Sequence, residues 1–336
     1  MDEPTSSLGP TDVPKLMKII RQLITAGKSV IFISHRLEEI FEICDRLVVL
    51  CDGQLKAEFE RGKFNKMDVI TQMVGRTFTR LYPKENVRLG EVRLKIENVS
   101  TDRIKNITLQ VRAGELVALY GMAGSGQDQI LETIFGVGNL KNMTGQIYLD
   151  GESLHVKSPE QAIAKGIGYI PAERKSEGLI ACHSVAWNVV LASIKDILKR
   201  GRIDYKLQDK IAHKWVKNVA VKTPTIETLI EGLSGGNQQK VIIAKWLQIN
   251  PRLLLLNDMT RGVDVGAKYE LYRIIMELCK EGISVLFTTS DMMEMMSVAD
   301  RVYTVWEGTI TAEFNRKEMD QTRIMYAAIG KKKEEN

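Results

Sequence analysis

Two short stretches carry glycines at a spacing that suits phosphate. The first is GMAGSGQD, Gly121 to Asp128. Gly121, Gly124 and Gly126, with Ser125 inside the run, fit the loop G-x-x-x-x-G-K-[ST]. In such a loop, backbone N–H groups and a helix N-terminus cradle phosphate oxygens. Here Gln127 holds the lysine position and Asp128 the Ser/Thr position. Glutamine brings no positive charge. Asp128 puts a carboxylate near anionic oxygens. That costs about 1 kcal/mol at 4 Å in water and roughly 4 kcal/mol at a half-buried surface. Two readings stay open for this loop: a degenerate phosphate site, or a strand-to-helix turn that holds no nucleotide. The second stretch is LSGGNQQKVIIAKWL, Leu233 to Leu247. Leu233, Ser234, Gly235 and Gly236 lead into a glutamine-rich helix that includes Gln238. The glycines allow close backbone approach, the serine donates a hydrogen bond, and the helix N-terminus favours an anion.

Acidic residues stand near both ends of the chain. Asp258 follows the apolar run Leu253–Leu256 and Asn257. The chain opens with MDEPTSSLGP, so Asp2 and Glu3 precede Pro4-Thr5. These stretches are related. SVIFISHRLEEIFEICDRLVVLCDGQLKAEF, around His35, aligns without a gap with SVLFTTSDMMEMMSVADRVYTVWEGTITAEF, around Ser290. The offset is 255 throughout, and it lays Asp2-Glu3-Pro4-Thr5 on Asn257-Asp258-Met259-Thr260. A constant offset over this span marks a repeated domain.

The elements that position these residues follow from periodicity. Ser29–Ser34 is apolar and β-branched and predicts a buried parallel strand. His35–Cys44 predicts an amphipathic helix. Arg46–Phe59, around Asp52-Gly53, predicts a hairpin. Further strands are expected at Val92–Ile96, Ile107–Val111, Glu115–Tyr120 and Leu253–Leu256. Helices are expected at Gly126–Phe135, Gly236–Gln248 and Gly266–Lys280. Val185–Val221 reads as mainly helical. Alternating strands and helices predict an α/β sheet with crossover helices.

Composition excludes several classes. Of 336 residues, 44% are apolar, enough for a core, and 26% are charged. This is a globular profile, not a disordered one. No apolar run approaches the ~20 residues that span a bilayer. The first ten residues lack a signal peptide's apolar core, so a cytosolic location is expected. Basic residues are dispersed among acids at net charge +5, which speaks against nucleic acid. Four cysteines form no CxxC pair and read as reduced thiols. The four histidines show no metal spacing. Met292, Met293, Met295 and Met296 read as packing residues.

LSGGNQQK resembles the signature motif of ABC-type ATPases. TRGVDVGAK (Thr260–Lys268) and PAERKSEGL (Pro171–Leu179) resemble the second half of the duplicated ATP-binding subunits of sugar ABC importers, the ribose, galactoside and xylose type. MDEPTSSL and ISHRLEEIFEICDR resemble the end of the first half. The resemblance runs from Met1 to about residue 331. It implies an ABC-type P-loop NTPase fold: a mixed sheet core, an antiparallel β subdomain and an inserted helical subdomain at about 174–232. It implies the end of a first nucleotide-binding domain at 1–76, a linker at 77–90, a second domain at 91–320 and a tail at 321–336. It implies ATP and Mg²⁺ as cofactors. Membrane permease subunits, a second nucleotide-binding domain and, indirectly, a sugar-binding protein are the implied partners, at the cytoplasmic face of the membrane.

The same resemblance assigns roles. Glu3 matches the carboxylate that polarises the attacking water, Asp2 the one that supports Mg²⁺, and His35 the γ-phosphate contact. Gly121–Asp128 is the phosphate loop of the second site, and Leu233–Gly236 with Gln238 the signature that closes a site on an opposed domain. Asn257 replaces the metal-side aspartate and carries no charge for Mg²⁺. Asp258 replaces the catalytic glutamate and is one methylene shorter, and a misplacement of ~1 Å can cost ~10²-fold. Ser290 replaces the histidine, Ala172 the residue that senses Mg²⁺, and no aromatic between Glu91 and Leu119 is available to stack on adenine. The second site is therefore expected to bind MgATP weakly and not to hydrolyse it. A first domain of the same build needs about 165 residues ahead of Asp2, including a phosphate loop. The expected function is the ATP-binding subunit of a sugar importer. The alternative is a non-hydrolytic module that docks on transporter subunits.

Overall fold

The computed structural model describes residues 1–2, 4–5, 12–34, 37–51, 54–62, 69, 84–85, 87–138 and 140–331. Glu3 and His35 lie outside the described residues. The chain divides into two compact units, 1–81 with 264–267, and 82–263 with 268–336.

In the first unit, α1 (Val13–Thr25) and α2 (Leu37–Ile43) precede a hairpin of β1 (Arg46–Cys51) and β2 (Gln54–Glu60). Met17 and Ile20 of α1 are buried with Ile43 in one cluster; Ile40, Leu47 and Val49 form another. The strand expected at Ser29–Ser34 does not form. Only Ile33 bridges, in parallel, to Asp2, and Ile31 is 81% exposed. A parallel strand is buried when neighbours cover both edges and both faces, and this segment lacks one of those neighbours among the described residues.

The second unit opens with β3 (Val92–Ser100) and β4 (Ile107–Arg112). Expected linker residues already pack here: the Gly90 N–H donates to Ala113 O at 2.9 Å. After β5 (Leu116–Tyr120) and α3 (Gln127–Phe135) come β6 (Thr144–Leu149), β7 (Glu152–Ser153), α4 (Pro159–Ala164) and β8 (Ile167–Ile170). The inserted region holds α5 (Val185–Val190) and α6 (Tyr205–Asn218). It also holds a small hairpin, β9 (Leu198–Lys199) and β10 (Arg202–Ile203), that periodicity alone does not announce. Then follow α7 (Gly235–Leu247), β11 (Leu253–Asn257), α8 (Val265–Lys280), β12 (Ser284–Thr288), α9 (Met292–Val298), β13 (Arg301–Trp306) and β14 (Thr309–Asn315). The expected tail begins as a docked helix, α10 (Gln321–Ala328), with Ile324 and Ala328 buried.

Two sheets result. One is antiparallel, in the order β4-β3-β6-β7. The other runs β14-β13-β5-β12-β11-β8, parallel except for β14. Every residue of β5, β11 and β12 is buried, as expected for central strands covered on both faces. By contrast β4 alternates buried and exposed, the mark of a half-buried antiparallel strand.

The 255-residue offset holds in three dimensions. Added to α2, β1 and β2, it gives the bounds of α9, β13 and β14. The hairpins share a register shift, at Val49/Leu50 and at Thr304/Val305. The turns after α1 and α8 match bond for bond: Gly27 N to Ile24 O and Lys28 N to Leu23 O, against Gly282 N to Cys279 O and Ile283 N to Leu278 O. Gly27 and Gly282 both take positive φ, +79° and +88°, the left-handed helix end that glycine permits.

Candidate functional site

The glycine-rich turn joins β5 to α3. Gly126 caps α3 at φ +109°. A Cβ at Gly121 would stand 2.5 Å from Val305 O, and one at Gly126 2.9 Å from Gly308 Cα. Close backbone approach fixes these glycines, whatever the loop binds. The Ser125 N–H donates to Met122 O and the Gly308 N–H to Ser125 O. Gln127 turns back over the loop. Its Nε2 donates to Met122 O at 3.2 Å and reaches Gly121 O at 3.5 Å. Its Oε1 is buried with no hydrogen-bond partner. The lysine position therefore carries no charge, and its donor is already used on the loop's own carbonyls. Burial pushes the Asp128 carboxyl up, and burial, then Asp128, pushes Glu132 up.

Asn257, buried at the end of β11, is already satisfied. Thr288 Oγ1 donates to its Oδ1 at 3.0 Å, and its Nδ2 donates to Tyr169 Oη at 3.4 Å. Burial pushes the Tyr169 phenol up to about 12. Asp258 follows with φ +41°. Its N–H donates to Thr288 O at 3.1 Å. Ser290 Oγ donates to Asp258 Oδ2 at 3.2 Å, and the Ser290 N–H to Oδ1 at 3.4 Å. Burial is the main cause that pushes the Asp258 carboxyl up.

The signature residues form a separate constellation. Ser234 caps α7 in an extended conformation. Asn237 Nδ2 donates to Ser234 Oγ at 2.9 Å. Gln238 is buried, and its Nε2 donates to Ile230 O and Leu233 O, both at 3.1 Å. That fixes its Oε1 to accept from Arg174 Nε at 3.0 Å. A Cβ at Gly235 would meet the Arg174 guanidinium at 3.1 Å, so Leu233–Gly236 lies against this arginine.

The structure thus brings Asn257, Asp258 and Ser290 together beside Thr288. Asp2 is placed only by its bridge to Ile33. Glu3 and His35 are not described. Sequence reasoning missed a buried hub. Glu294 is fully buried and accepts from Thr260 Oγ1 at 2.6 Å, Tyr272 Oη at 2.5 Å and Thr289 Oγ1 at 3.2 Å; Lys268 Nζ donates to its other oxygen at 2.8 Å. At the constant offset, Glu39 accepts from Thr5 Oγ1 at 2.8 Å and Ser34 Oγ at 3.2 Å. The identical pairs Thr5/Thr260 and Glu39/Glu294 in the repeat were the signal. The methionines divide: Met292 and Met295 are buried, while Met293 is 59% exposed.

Magnesium triphosphate does not fit the second unit's donor set. The loop offers Gln127 Oε1 and Asp128 in place of a cation and a hydroxyl, and Asn257 is neutral and already bonded. No cluster of three or more His, Cys, Asp or Glu suited to a metal occurs among the described residues.

The family described as ABC transporter matches residues 104–261. The ribose import ATP-binding protein RbsA of Clostridium tetani is 40% identical over 331 residues, 98% of this chain and 65% of that protein. RbsA of Bacillus subtilis is 38% identical, over 98% of this chain and 67% of that protein. A ribose/galactose/methyl galactoside import ATP-binding protein of Rhizobium etli, itself named as putative, is 39% identical over 98% of this chain and 63% of its own. The chain spans about two thirds of the length of these relatives. Among solved structures, a nucleotide-free ATP-binding cassette from an ABC transporter superposes with TM-score 0.59 at 20% identity, covering 67% of this chain and 91% of that one. A dimeric cassette in a post-hydrolysis state, bound to ADP and Pi, gives 0.56 at 24% identity, covering 66% and 98%. These structures show the fold, an ABC-type P-loop NTPase nucleotide-binding domain. The chain belongs to the ABC transporter family, and its relatives there are sugar-import ATP-binding proteins.

Proposed function

We propose that the chain is an ATP-binding subunit of a sugar ABC import system, coupling ATP binding and hydrolysis to carbohydrate transport. The similarity to ribose-import proteins over 98% of the chain carries this. Its partners are membrane permease subunits, a further nucleotide-binding domain and, through the permease, a sugar-binding protein. It works as a peripheral subunit at the cytoplasmic membrane face. No described helix is long and apolar enough to cross a membrane.

The two units have different roles. The first is the closing part of a cassette, with Asp2 supporting Mg²⁺, Glu3 polarising water and His35 contacting the γ-phosphate. The matching bounds, bulges and helix ends at the 255-residue offset support this. The second domain, 91–320, is a full copy of the cassette whose own site is non-hydrolytic. Gln127, Asp128, Asn257 and the closed Asp258–Ser290 pair support that. The same pair favours a second reading, a non-hydrolytic module that docks on transporter subunits.

Gene disruption followed by labelled-ribose uptake tests the importer function. Uptake is expected to fall and to return with the restored gene. Unchanged uptake of ribose, galactosides and xylose would sink it. For the second site, the purified chain is expected to show no MgATP turnover, and turnover like that of an intact relative would refute the assignment.

A further inference from the structure

Basic residues are dispersed along the chain as a whole, but one stretch of the inserted region gathers them. Residues 195–222 hold nine Lys or Arg and three Asp, a net +6 where the whole chain carries +5, so the remainder stands at −1. On α6, Lys206, Lys210, Lys214 and Lys217 fall within an arc of about 80° at 3.6 residues per turn. All four are exposed, and Gln208 and Ala212 are buried on the other side of the helix. The one acid of α6, Asp209, lies outside the arc. No carboxylate answers Lys206, Lys210 or Lys217 among the described residues. Just before α6 stands the β9–β10 hairpin, where Lys199 lies directly opposite Arg202. Arg200 and Gly201 make its two-residue turn, at φ +50° and +77°. Asp204 Oδ2 accepts from Lys199 Nζ at 2.5 Å, while Arg200 and Arg202 are exposed with no acid paired to them among the described residues.

These charges work against the elements that carry them. Like charges at i,i+4, as in Lys206/Lys210 and Lys210/Lys214, oppose a helix. Lys206 sits in the first turn of α6, which holds no acid, although the helix dipole favours one there. Lys199 against Arg202 is a like-charge pair across two strands, which also opposes pairing. An anionic surface laid on this face relieves all three at once. Leu198 and Tyr205, at the hairpin end of the face, are 44% and 62% exposed. Lysine is a compact point charge that suits a fluid field of headgroups. Leucine and tyrosine can sink past the headgroups while lysine and arginine heads stay level with them. Nucleic acid is the poorer fit, because base stacking asks for arginine or aromatic planes along the track, and the track on α6 is lysine.

We propose that α6 and the β9–β10 hairpin form a docking surface for the anionic phospholipid headgroups of a bilayer. The lysine arc supplies the attractive field, Arg200 and Arg202 reach lipid phosphates, and Leu198 and Tyr205 enter the boundary of the acyl chains. Each lysine near such a surface is worth a factor of about five in binding. The subunit then holds to the membrane through a surface of its own, in addition to any contact with a permease. This rests on reading the chain as a peripheral membrane subunit, but lipid binding is measured without sugar, nucleotide or permease.

The test is co-sedimentation of the full chain with vesicles of phosphatidylcholine, alone or with about one third phosphatidylglycerol. Binding is expected to the phosphatidylglycerol vesicles only, and it is expected to weaken as salt rises. Lys206→Gln with Lys210→Gln and Lys217→Gln, at exposed side chains that carry no described ion pair, is expected to lower binding by about a hundredfold, from three factors of about five. The same change at Lys105, Lys157 and Lys317, exposed lysines elsewhere, is expected to lower it by less than about threefold. Three outcomes overturn the proposal. They are equal binding to phosphatidylcholine alone, equal losses in the two triple variants, and capture of a generic RNA that the α6 variant abolishes while the vesicles stay unbound, which would assign the face to nucleic acid. A chain that binds the vesicles but does not support uptake refutes the importer function only. One that supports uptake but ignores the vesicles refutes the lipid surface only.

Discussion

Ser290 Oγ stands 3.2 Å from Asp258 Oδ2, and the Ser290 N–H closes on Oδ1 at 3.4 Å. The residues 255 after Glu3 and His35 therefore bond each other. Burial, the largest cause, raises the Asp258 pKa in the folded chain above its ordinary value. A raised carboxyl pKa means that the folded state binds more protons between the unfolded and folded values, so stability falls as pH rises through that window. Asp258→Asn removes this penalty. The variant is expected to melt higher than the parent at pH 7, with the gap closing as pH falls through the ordinary aspartate range. Thermal melts from pH 3 to pH 7 check this, and a parent that is the more stable at pH 7 refutes it.

Gln127 and Asp128 weaken the phosphate loop by separate means. The first lacks charge, and its Nε2 is spent on loop carbonyls. The second adds a carboxylate that burial already disfavours. The double change Gln127→Lys with Asp128→Ser is expected to tighten MgATP binding by at least about tenfold, ~1.4 kcal/mol. Gln127→Lys alone is expected to gain less, because Asp128 can pair with the new lysine. Neither is expected to restore turnover, since Asn257 and the Asp258–Ser290 pair remain. Calorimetric titration and a phosphate-release assay measure the two effects.

The fold was largely legible in the sequence because the repeat is long and gapless. An apolar run such as Leu253–Leu256 reads as a strand, and its burial follows from being central. Ser29–Ser34 shows the limit. Its pattern matches Ser284–Thr289, but a strand forms only when its neighbour is present, and that is a tertiary fact. The candidate site was legible in its substitutions but not in its contacts. No pattern announces that Gln127 folds back over its loop, or that Tyr169 bonds Asn257 across 88 residues. Glu294 sat among methionines and drew no attention, because a buried acid is identified by its partners.

Glu294 ties the loop at Thr260 to the segment at Thr289 and to α8 through Tyr272 and Lys268. Removing the carboxylate leaves the Lys268 ammonium with Asp291 at 3.9 Å and leaves buried hydroxyls without this acceptor. Glu294→Ala is expected to cost about 3–5 kcal/mol, the usual loss when one partner of a buried pair is removed. Glu294→Gln keeps acceptors for the hydroxyls and is expected to cost less. Urea unfolding followed by tryptophan fluorescence measures both. A loss below about 1 kcal/mol for the alanine variant, the range of an exposed pair, would mean the hub does not hold these elements together.

Lys245 lies buried in α7, with Nζ donating to Gly178 O at 2.6 Å and standing 5.1 Å from the Trp246 ring centroid. Burial lowers its pKa from 10.5 to about 8. The folded state gives up the proton near pH 8, while the unfolded chain holds it to about 10.5. Between those values the unfolded chain binds more protons, so this group's contribution to stability rises with pH. Lys245→Met removes the titration and keeps most of the volume. The parent is expected to gain stability relative to the variant, by about 3 kcal/mol between pH 7 and pH 11, from the size of the shift. At pH 7 the methionine variant avoids burying a charge but leaves Gly178 O without its donor, so the two effects oppose and the absolute difference is small. The decisive quantity is the slope. Paired denaturation curves at pH 7, 8, 9, 10 and 11 give it, and parallel pH profiles for the two chains would show that Lys245 does not titrate inside the fold.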